Sequence, residues 1–234
     1  MRPFLRIIHL GFLLGFLAGS RYLAAAIPAE VQQALQVFRA EGPKGWSFTQ
    51  TTSAEGQQRV EHYDAGQPEF RRWTLVAQDG HPPSPQEAQN YREKFTRQSR
   101  GGSGPRLNQQ IDLETLRLLT ETSDQMTFTA RLKAGEDGDT TAEFLRAIFV
   151  WDKPDQIIES FTIESIAGFS PTFGVKIAEM RTTMSYSRPS PDHPSLLQTI
   201  ATRLRGRAFW FKSLDADMTV VYADYKPAVA PNRR

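Results

Sequence analysis

Along most of the chain, apolar and polar residues alternate with a period of two, which is typical of strands that bury one face. The clearest case is 126–132, where Met, Phe, Ala and Leu alternate with Thr and Arg. The alternation predicts strands near residues 46–52, 58–64, 72–77, 126–132, 144–151, 157–163, 175–186, 208–211 and 218–225. Within 175–186 the apolar positions change phase near residues 178–179, which predicts a β-bulge.

Three other segments have apolar residues three and four positions apart, as in an amphipathic helix. The first is 29–40, which Gly42-Pro43 ends. The second begins at a capping box with Ser84 and Glu87 and runs to about residue 98. The third is 197–204, which Gly206 ends. A short turn is predicted over 113–119.

This order of elements predicts an α+β fold in which a curved antiparallel sheet packs on a few helices. The chain of 234 residues is long enough for one sizeable core. We expect a single domain over residues 27–226, with a flexible linker near 99–106 where Gly and Ser accumulate. A disordered tail is expected over residues 227–234.

The N-terminal residues 1–26 have the features of a cleaved secretory signal peptide. Arg2 and Arg6 precede an apolar run of about a dozen residues, and three alanines end at Ala26. The run is shorter than the roughly 20 residues that span a bilayer, so cleavage is favoured over a retained anchor. We therefore expect a periplasmic protein that starts near Ile27 and has no transmembrane segment.

Composition and charge exclude several classes of protein. The chain has no cysteine, so disulfides, thiolate metal sites and cysteine nucleophiles are excluded. Removing residues 1–26, with their three arginines and no acid, changes the formal net charge from +2 to −1. A nucleic-acid partner needs a strong basic field and is not expected.

No catalytic motif is found in the sequence: it has no G-x-S-x-G, no H-E-x-x-H, no P-loop and no dinucleotide-binding glycine pattern. His62 with Asp64 could exchange protons, but an ordinary strand position is the favoured interpretation. Asp215 and Asp217 fall in a predicted hairpin turn, where aspartate is common for structural reasons. The acidic turn at 135–139 lacks the spacing of an EF-hand calcium loop. We expect a non-enzymatic protein with no cofactor and no metal.

Aromatic residues are spread over most of the predicted strands, and they supply the candidate ligand-binding residues. Aromatics dominate many protein cores, so a filled core is one interpretation. The other is a concave apolar face that opens as a cavity for an acyl chain or another apolar group. The candidates for this face are Trp46, Phe48, Trp73, Phe128, Trp151 and Phe161.

Two short stretches resemble a known family. Phe48-Thr49-Gln50 resembles an F-x-Q stretch, and residues 67–73 (QPEFRRW) resemble a P-x-x-F-R-W stretch, of the LolA-like periplasmic lipoprotein carriers. Residues 72–75, 79–84 and 87–91 are also similar to a tract of uncharacterised secreted proteins of proteobacteria. The resemblance implies a half-barrel of antiparallel strands closed by helices, with a cavity for acyl chains.

The resulting hypothesis is an exported protein that binds a lipid, an acyl chain or another apolar group. The alternative is an envelope accessory or sensor module whose sheet edge or loops bind a protein partner.

Overall fold

The computed structural model describes residues 27–38, 40, 45–98, 111–134, 141–209 and 211–228. The predicted signal peptide, the linker near 99–106, the acidic turn at 135–139 and the tail beyond residue 228 lie outside these ranges. The helices are α1 (Ala29–Val37) and α2 (Pro85–Gln98), with single 3-10 turns at Glu69–Arg71 and Thr141–Phe144. The strands are β1 (Trp46–Ala54), β2 (Gln57–Tyr63), β3 (Trp73–Gln78), β4 (Ile111–Glu121), β5 (Gln125–Leu132), β6 (Leu145–Asp152), β7 (Ile157–Ser165), β8 (Val175–Tyr186), β9 (Leu197–Ala208), β10 (Lys212–Ser213) and β11 (Ala216–Pro227).

All of these strands belong to one antiparallel sheet with the order β3-β2-β1-β11-β9-β8-β7-β6-β5-β4, and β10 pairs with the end of β9. Strands β4 to β9 form a meander, and β11 then pairs with β1, so the first and last strands meet inside the sheet. The sheet is open, with β3 and β4 at its two edges. The predicted α+β class with an antiparallel sheet is confirmed.

Helix α2 begins at the predicted capping box. The Ser84 hydroxyl accepts a hydrogen bond from the Glu87 amide at 3.3 Å, and the Glu87 carboxylate accepts one from the Ser84 amide at 2.7 Å. These two bonds satisfy amides that the first turn of a helix otherwise leaves unpaired. The pKa of the Glu87 carboxyl is lowered, because the Ser84 side chain and the Ser84 amide both stabilise its charged form.

Three predicted elements are wrong. The strand predicted over 208–211 is not formed, because β9 ends at Ala208 and the next strand, β10, begins at Lys212. Residues 197–204 form part of strand β9 and not a helix, and residues 113–119 form part of strand β4 and not a turn. The bulge predicted near 178–179 is confirmed, because the register between β8 and β9 shifts between Ile177 and Glu179. Strand β4 is itself irregular, since its pairing with β5 is interrupted between Asp112 and Arg117.

Candidate functional site

The register of the sheet defines which side chains share a face, because directly opposed residues of antiparallel strands point the same way. One row runs from Phe149 through Phe161, Met184 and Ile200 to Val220, across β6, β7, β8, β9 and β11. We call this side of the sheet the inner face. Both helices lie on it: α1 packs on its aromatic part, and α2 packs beside β3.

Helix α1 fills part of the inner face. Val31 and Leu35 of the helix are buried in the main apolar cluster of the protein. Phe38, directly after α1, contacts the rings of Phe149 and Phe161 edge to face, with centroid distances of 6.4 and 5.8 Å. Around α1 the inner face is therefore a packed core with aromatic edge-to-face contacts.

Next to this core, six apolar side chains of the inner face remain half-exposed, and we call them the apolar strip. Ile163, Met184 and Ile200 pack partly against the main cluster, and Met180 and Leu204 pack partly against a smaller one. Thr182 and Thr202 lie among them, joined by a hydrogen bond between their hydroxyls at 3.2 Å. On the outer face of the same strands, Arg181, Arg203 and Asp217 are exposed to solvent. The members of the strip are Ile163, Met180, Met184, Ile200, Leu204 and Met218.

The six predicted ligand-binding residues separate into two groups. Phe128, Trp151 and Phe161 are buried in the same apolar cluster as α1. Phe48 is buried beside Trp73 at a centroid distance of 5.7 Å, on the same face but near the β3 edge of the sheet. Trp46, at the start of β1, is half-exposed and opposes Pro227 of β11.

Phe48 is the centre of an aromatic cluster on β1, β2, β3 and β11. Its ring stacks on Tyr63 at 4.9 Å and meets Tyr222 and Tyr225 at 5.4 and 5.6 Å. Tyr222 also packs against the main apolar cluster, so the aromatic cluster continues the core beyond α1. The buried members of the predicted site are therefore fully enclosed by other side chains, whereas the members of the apolar strip keep part of their surface exposed to solvent.

The sequence analysis did not select the methionines of the apolar strip. Met180 and Met184 fall at alternating positions of one strand, and the register places Met218 of β11 on the same face. The sequence pattern does not indicate which part of that face a helix covers. Methionine is flexible and polarisable, and it is frequent at surfaces that accept apolar ligands of variable shape.

A buried carboxylate connects α2 to the sheet. Glu61 of β2 is only 2% exposed and accepts a hydrogen bond from the Tyr91 hydroxyl of α2 at 2.7 Å. The same carboxylate accepts from the Gln50 amide at 3.2 Å and pairs with Arg59 at 3.2 Å. Charged groups are rarely buried unless they are paired and hydrogen-bonded, and Glu61 meets this condition.

Several buried tyrosines have altered acidity. Burial raises the pKa of Tyr91, and its bond to the Glu61 carboxylate adds to the effect. Burial also raises the pKa values of Tyr186, Tyr222 and Tyr225. In each case the charged phenolate is less well solvated inside the protein than in water.

These shifts predict that the protein loses stability at alkaline pH. A tyrosine whose pKa is raised by folding holds its proton in the native state when the unfolded chain has lost it. The stabilising contribution is complete below the ordinary pKa of about 10, and it falls as the pH rises above this value. Urea denaturation between pH 8 and pH 11 measures this decline, and Tyr186→Phe should make it shallower. A stability that stays constant up to pH 11 would contradict the assignment.

A cleft with a volume of about 940 Å³ lies where the pairing of β4 and β5 is interrupted. Arg117, Arg131 and Lys133 line it together with Asp112 and Glu143. These charged groups make the cleft unsuited to an acyl chain, because a charge that loses water without a partner is costly.

The carboxylates considered for chemistry are engaged in structural bonds, and His62 lies on β2 opposite Thr49. The Asp64 carboxylate accepts a hydrogen bond from the Gly66 amide at 2.9 Å. Asp215 accepts one from the Gly206 amide at 3.0 Å, and Asp217 pairs with Arg205 at 2.6 Å. Within the described part of the chain, no three histidine or carboxylate side chains are grouped closely enough to hold a metal ion.

Among the described residues, no helix is long and apolar enough to cross a bilayer. Comparisons of the chain with protein-family models, with curated proteins and with solved structures find no match. The fold and the apolar strip are therefore the basis of the functional argument.

Proposed function

We propose that this chain is an exported, non-enzymatic periplasmic protein whose apolar strip binds a lipid, an acyl chain or another apolar group. The observation that carries the proposal is the half-exposed row of methionines and aliphatic side chains beside the core. An open antiparallel sheet with two helices on one face is also compatible with the LolA-like half-barrel that the resemblance implies.

We expect such a ligand on the apolar strip and not on the aromatic part of the inner face. Val31, Leu35 and Phe38 occupy the aromatic part of the inner face, so we expect Phe128 and Phe161 to support the fold and the ligand to lie elsewhere. The strip over β7, β8, β9 and β11 presents flexible apolar side chains with a central pair of threonines. Binding sites for apolar ligands combine an apolar lining with few polar groups in this way.

The substitution Met218→Glu tests the strip directly. The carboxylate would have to lose water when an acyl chain lies against β11, so we expect the affinity for a fluorescent long-chain fatty acid to fall roughly tenfold or more. Fluorescence titration measures this loss.

Val221→Glu is the matched control, because Val221 lies on the outer face of the same strand and is 42% exposed. It introduces the same charge and should leave the affinity unchanged. Equal effects of the two substitutions, or no binding by the unaltered chain, would contradict a site on the inner face.

Native mass spectrometry of protein from a periplasmic extract would show whether the chain begins at Ile27 and carries a lipid.

A second candidate function is an accessory module that binds a protein partner at the edge of the sheet. Strand β4 ends the strand order of the described residues, and Leu119 on it is 48% exposed. An edge strand can pair with an extended segment of another chain. Crosslinking from Leu119 that gives one stoichiometric protein adduct, with no lipid bound, would favour this function.

A further inference from the structure

Three exposed phenylalanines lie in two neighbouring turns at one end of β8 and β9. Phe173 precedes β8, while Phe209 and Phe211 follow β9, and their exposed fractions are 94%, 56% and 87%. We call these three residues the aromatic tip. Large apolar side chains that are clustered and exposed commonly mark an interaction site.

The turn before β8 and the turn after β9, which carry the aromatic tip, are held side by side by backbone contacts. Val175 of β8 is directly opposite Ala208 of β9, and the Phe209 amide donates a hydrogen bond to the Gly174 carbonyl at 2.7 Å. The Phe209 ring lies so close to Gly174 that a Cβ there would come within 2.8 Å of its Cε1 atom. Lys212 pairs back to Ala208 and closes the second turn.

Phe209 also adopts a backbone conformation that its side chain disfavours. Its φ is +47°, in the left-handed region where glycine and asparagine are the usual residues. Its ring packs against Gly174 on one side and is otherwise exposed. Strained positions of this kind cluster at functional sites.

Basic side chains surround the aromatic tip. Lys176 and Arg207 are directly opposite each other on β8 and β9, and Lys212 follows Phe211. All three are exposed, and within the described residues none of them forms an ion pair. Like charges directly opposite one another are destabilising, so the pairing of Lys176 with Arg207 does not help to stabilise the sheet.

Other charges near this end of the sheet are already paired or occupied. Arg203 and Arg205 both lie within ion-pair distance of Asp217, at 3.7 and 2.6 Å. Asp215 accepts a hydrogen bond from the Gly206 amide, and Glu179 of β8 lies directly opposite Arg205. The surface next to the aromatic tip therefore keeps an excess of positive charge.

We propose that the aromatic tip docks the protein on the surface of an anionic lipid bilayer. The three phenylalanines enter the boundary between head groups and acyl chains, and Lys176, Arg207 and Lys212 contact lipid phosphates. Exposed aromatic side chains combined with lysine and arginine are the features that bind a protein to such a surface. A second copy of the chain fits less well, since a symmetric contact would bring the same basic residues together.

This proposal is independent of ligand binding by the apolar strip, and vesicle binding tests it. The probes are vesicles of phosphatidylcholine alone and vesicles with one quarter phosphatidylglycerol, used in flotation assays at low and high salt. All proteins are compared in the same form of the chain, so any contribution of residues 1–26 is equal. We expect binding to the anionic vesicles that weakens as salt rises.

The paired substitution Phe173→Ser with Phe211→Ser should weaken vesicle binding roughly a hundredfold, about tenfold for each phenylalanine. Lys176→Glu with Lys212→Glu should abolish the preference for anionic vesicles. Phe70→Ser is the control, because Phe70 is 59% exposed in a turn remote from the aromatic tip. Met218→Glu should bind vesicles normally, which separates this proposal from the proposed function.

The proposal is overturned if the Phe173 and Phe211 substitutions weaken binding no more than Phe70→Ser does. It is also overturned if neutral and anionic vesicles bind equally well at low salt. Sedimentation of the lipid-free protein tests the other possible partner, a second copy of this chain. A dimer that the two serine substitutions dissociate, with no binding to vesicles, would assign the aromatic tip to self-association.

Discussion

Replacing Phe161 with alanine should lower the free energy of unfolding by about 3–5 kcal/mol. The side chain has no exposed surface and lies in the middle of the sheet, on β7. Its ring contacts Phe149 at 4.9 Å and Phe38 at 5.8 Å, so its removal leaves a cavity between the sheet and the chain that follows α1. Denaturation in urea, followed by circular dichroism, measures the change.

Phe211→Ala is the control for this prediction, since Phe211 is almost fully exposed in the aromatic tip. It should alter the free energy of unfolding by no more than about 0.5 kcal/mol. If the two substitutions cost the same, the inner face around α1 is not a packed core. The same part of the sheet would then be open to a ligand.

Replacing Glu61 with alanine should lower the free energy of unfolding by about 2–4 kcal/mol. The Tyr91 hydroxyl and the Gln50 amide lose their bonds to this carboxylate, and each buried polar group that loses its partner costs about 1–3 kcal/mol. Tyr91 is the one buried side chain of α2 among its described residues. Amide hydrogen exchange should therefore accelerate in α2 more than in β6 or β7.

Glu121→Ala provides the comparison for Glu61. Glu121 pairs with Lys153 at 2.6 Å, but its side chain is largely exposed. Ion pairs of this kind contribute about 0–1 kcal/mol, because water solvates both partners when the pair is broken. Equal losses for Glu61→Ala and Glu121→Ala, or unchanged exchange in α2, would refute the role assigned to the buried carboxylate.

Strands whose two faces differ clearly in polarity could be predicted from the sequence, as for 126–132 in β5. Strand β9 was predicted wrongly because Leu197, Ile200, Ala201 and Leu204 also fit a helical period. In the sheet, Thr202 lies on the inner face and Ala201 on the outer face, so the contrast between the faces is weak. Pairing with β8 and β11 therefore overrides the local preference.

Strand β4 was missed for a different reason. Its register with β5 shifts twice, between Asp112 and Arg117 and between Leu118 and Thr120. Each irregularity changes which face a side chain occupies, so the sequence shows no steady alternation over 111–121. A sequence pattern cannot reveal a bulge whose position depends on the partner strand.

The candidate site could be predicted only in part. The aromatic positions on the inner face were found from their alternation, and Phe48, Phe128 and Phe161 do lie there. Which of them a helix covers depends on how α1 packs, and a linear pattern carries no information on that choice. The half-exposed methionines of the apolar strip and the aromatic tip depend on tertiary placement.

The pairing of β1 with β11 has a consequence for how the chain reaches this fold. Thr51 is opposite Val221, so a contact in the middle of the sheet joins residues separated by most of the chain. Such non-local contacts raise the contact order and slow folding, because a long loop must close before they form. Strands β1 to β3 can join the meander only after β11 has emerged from the ribosome.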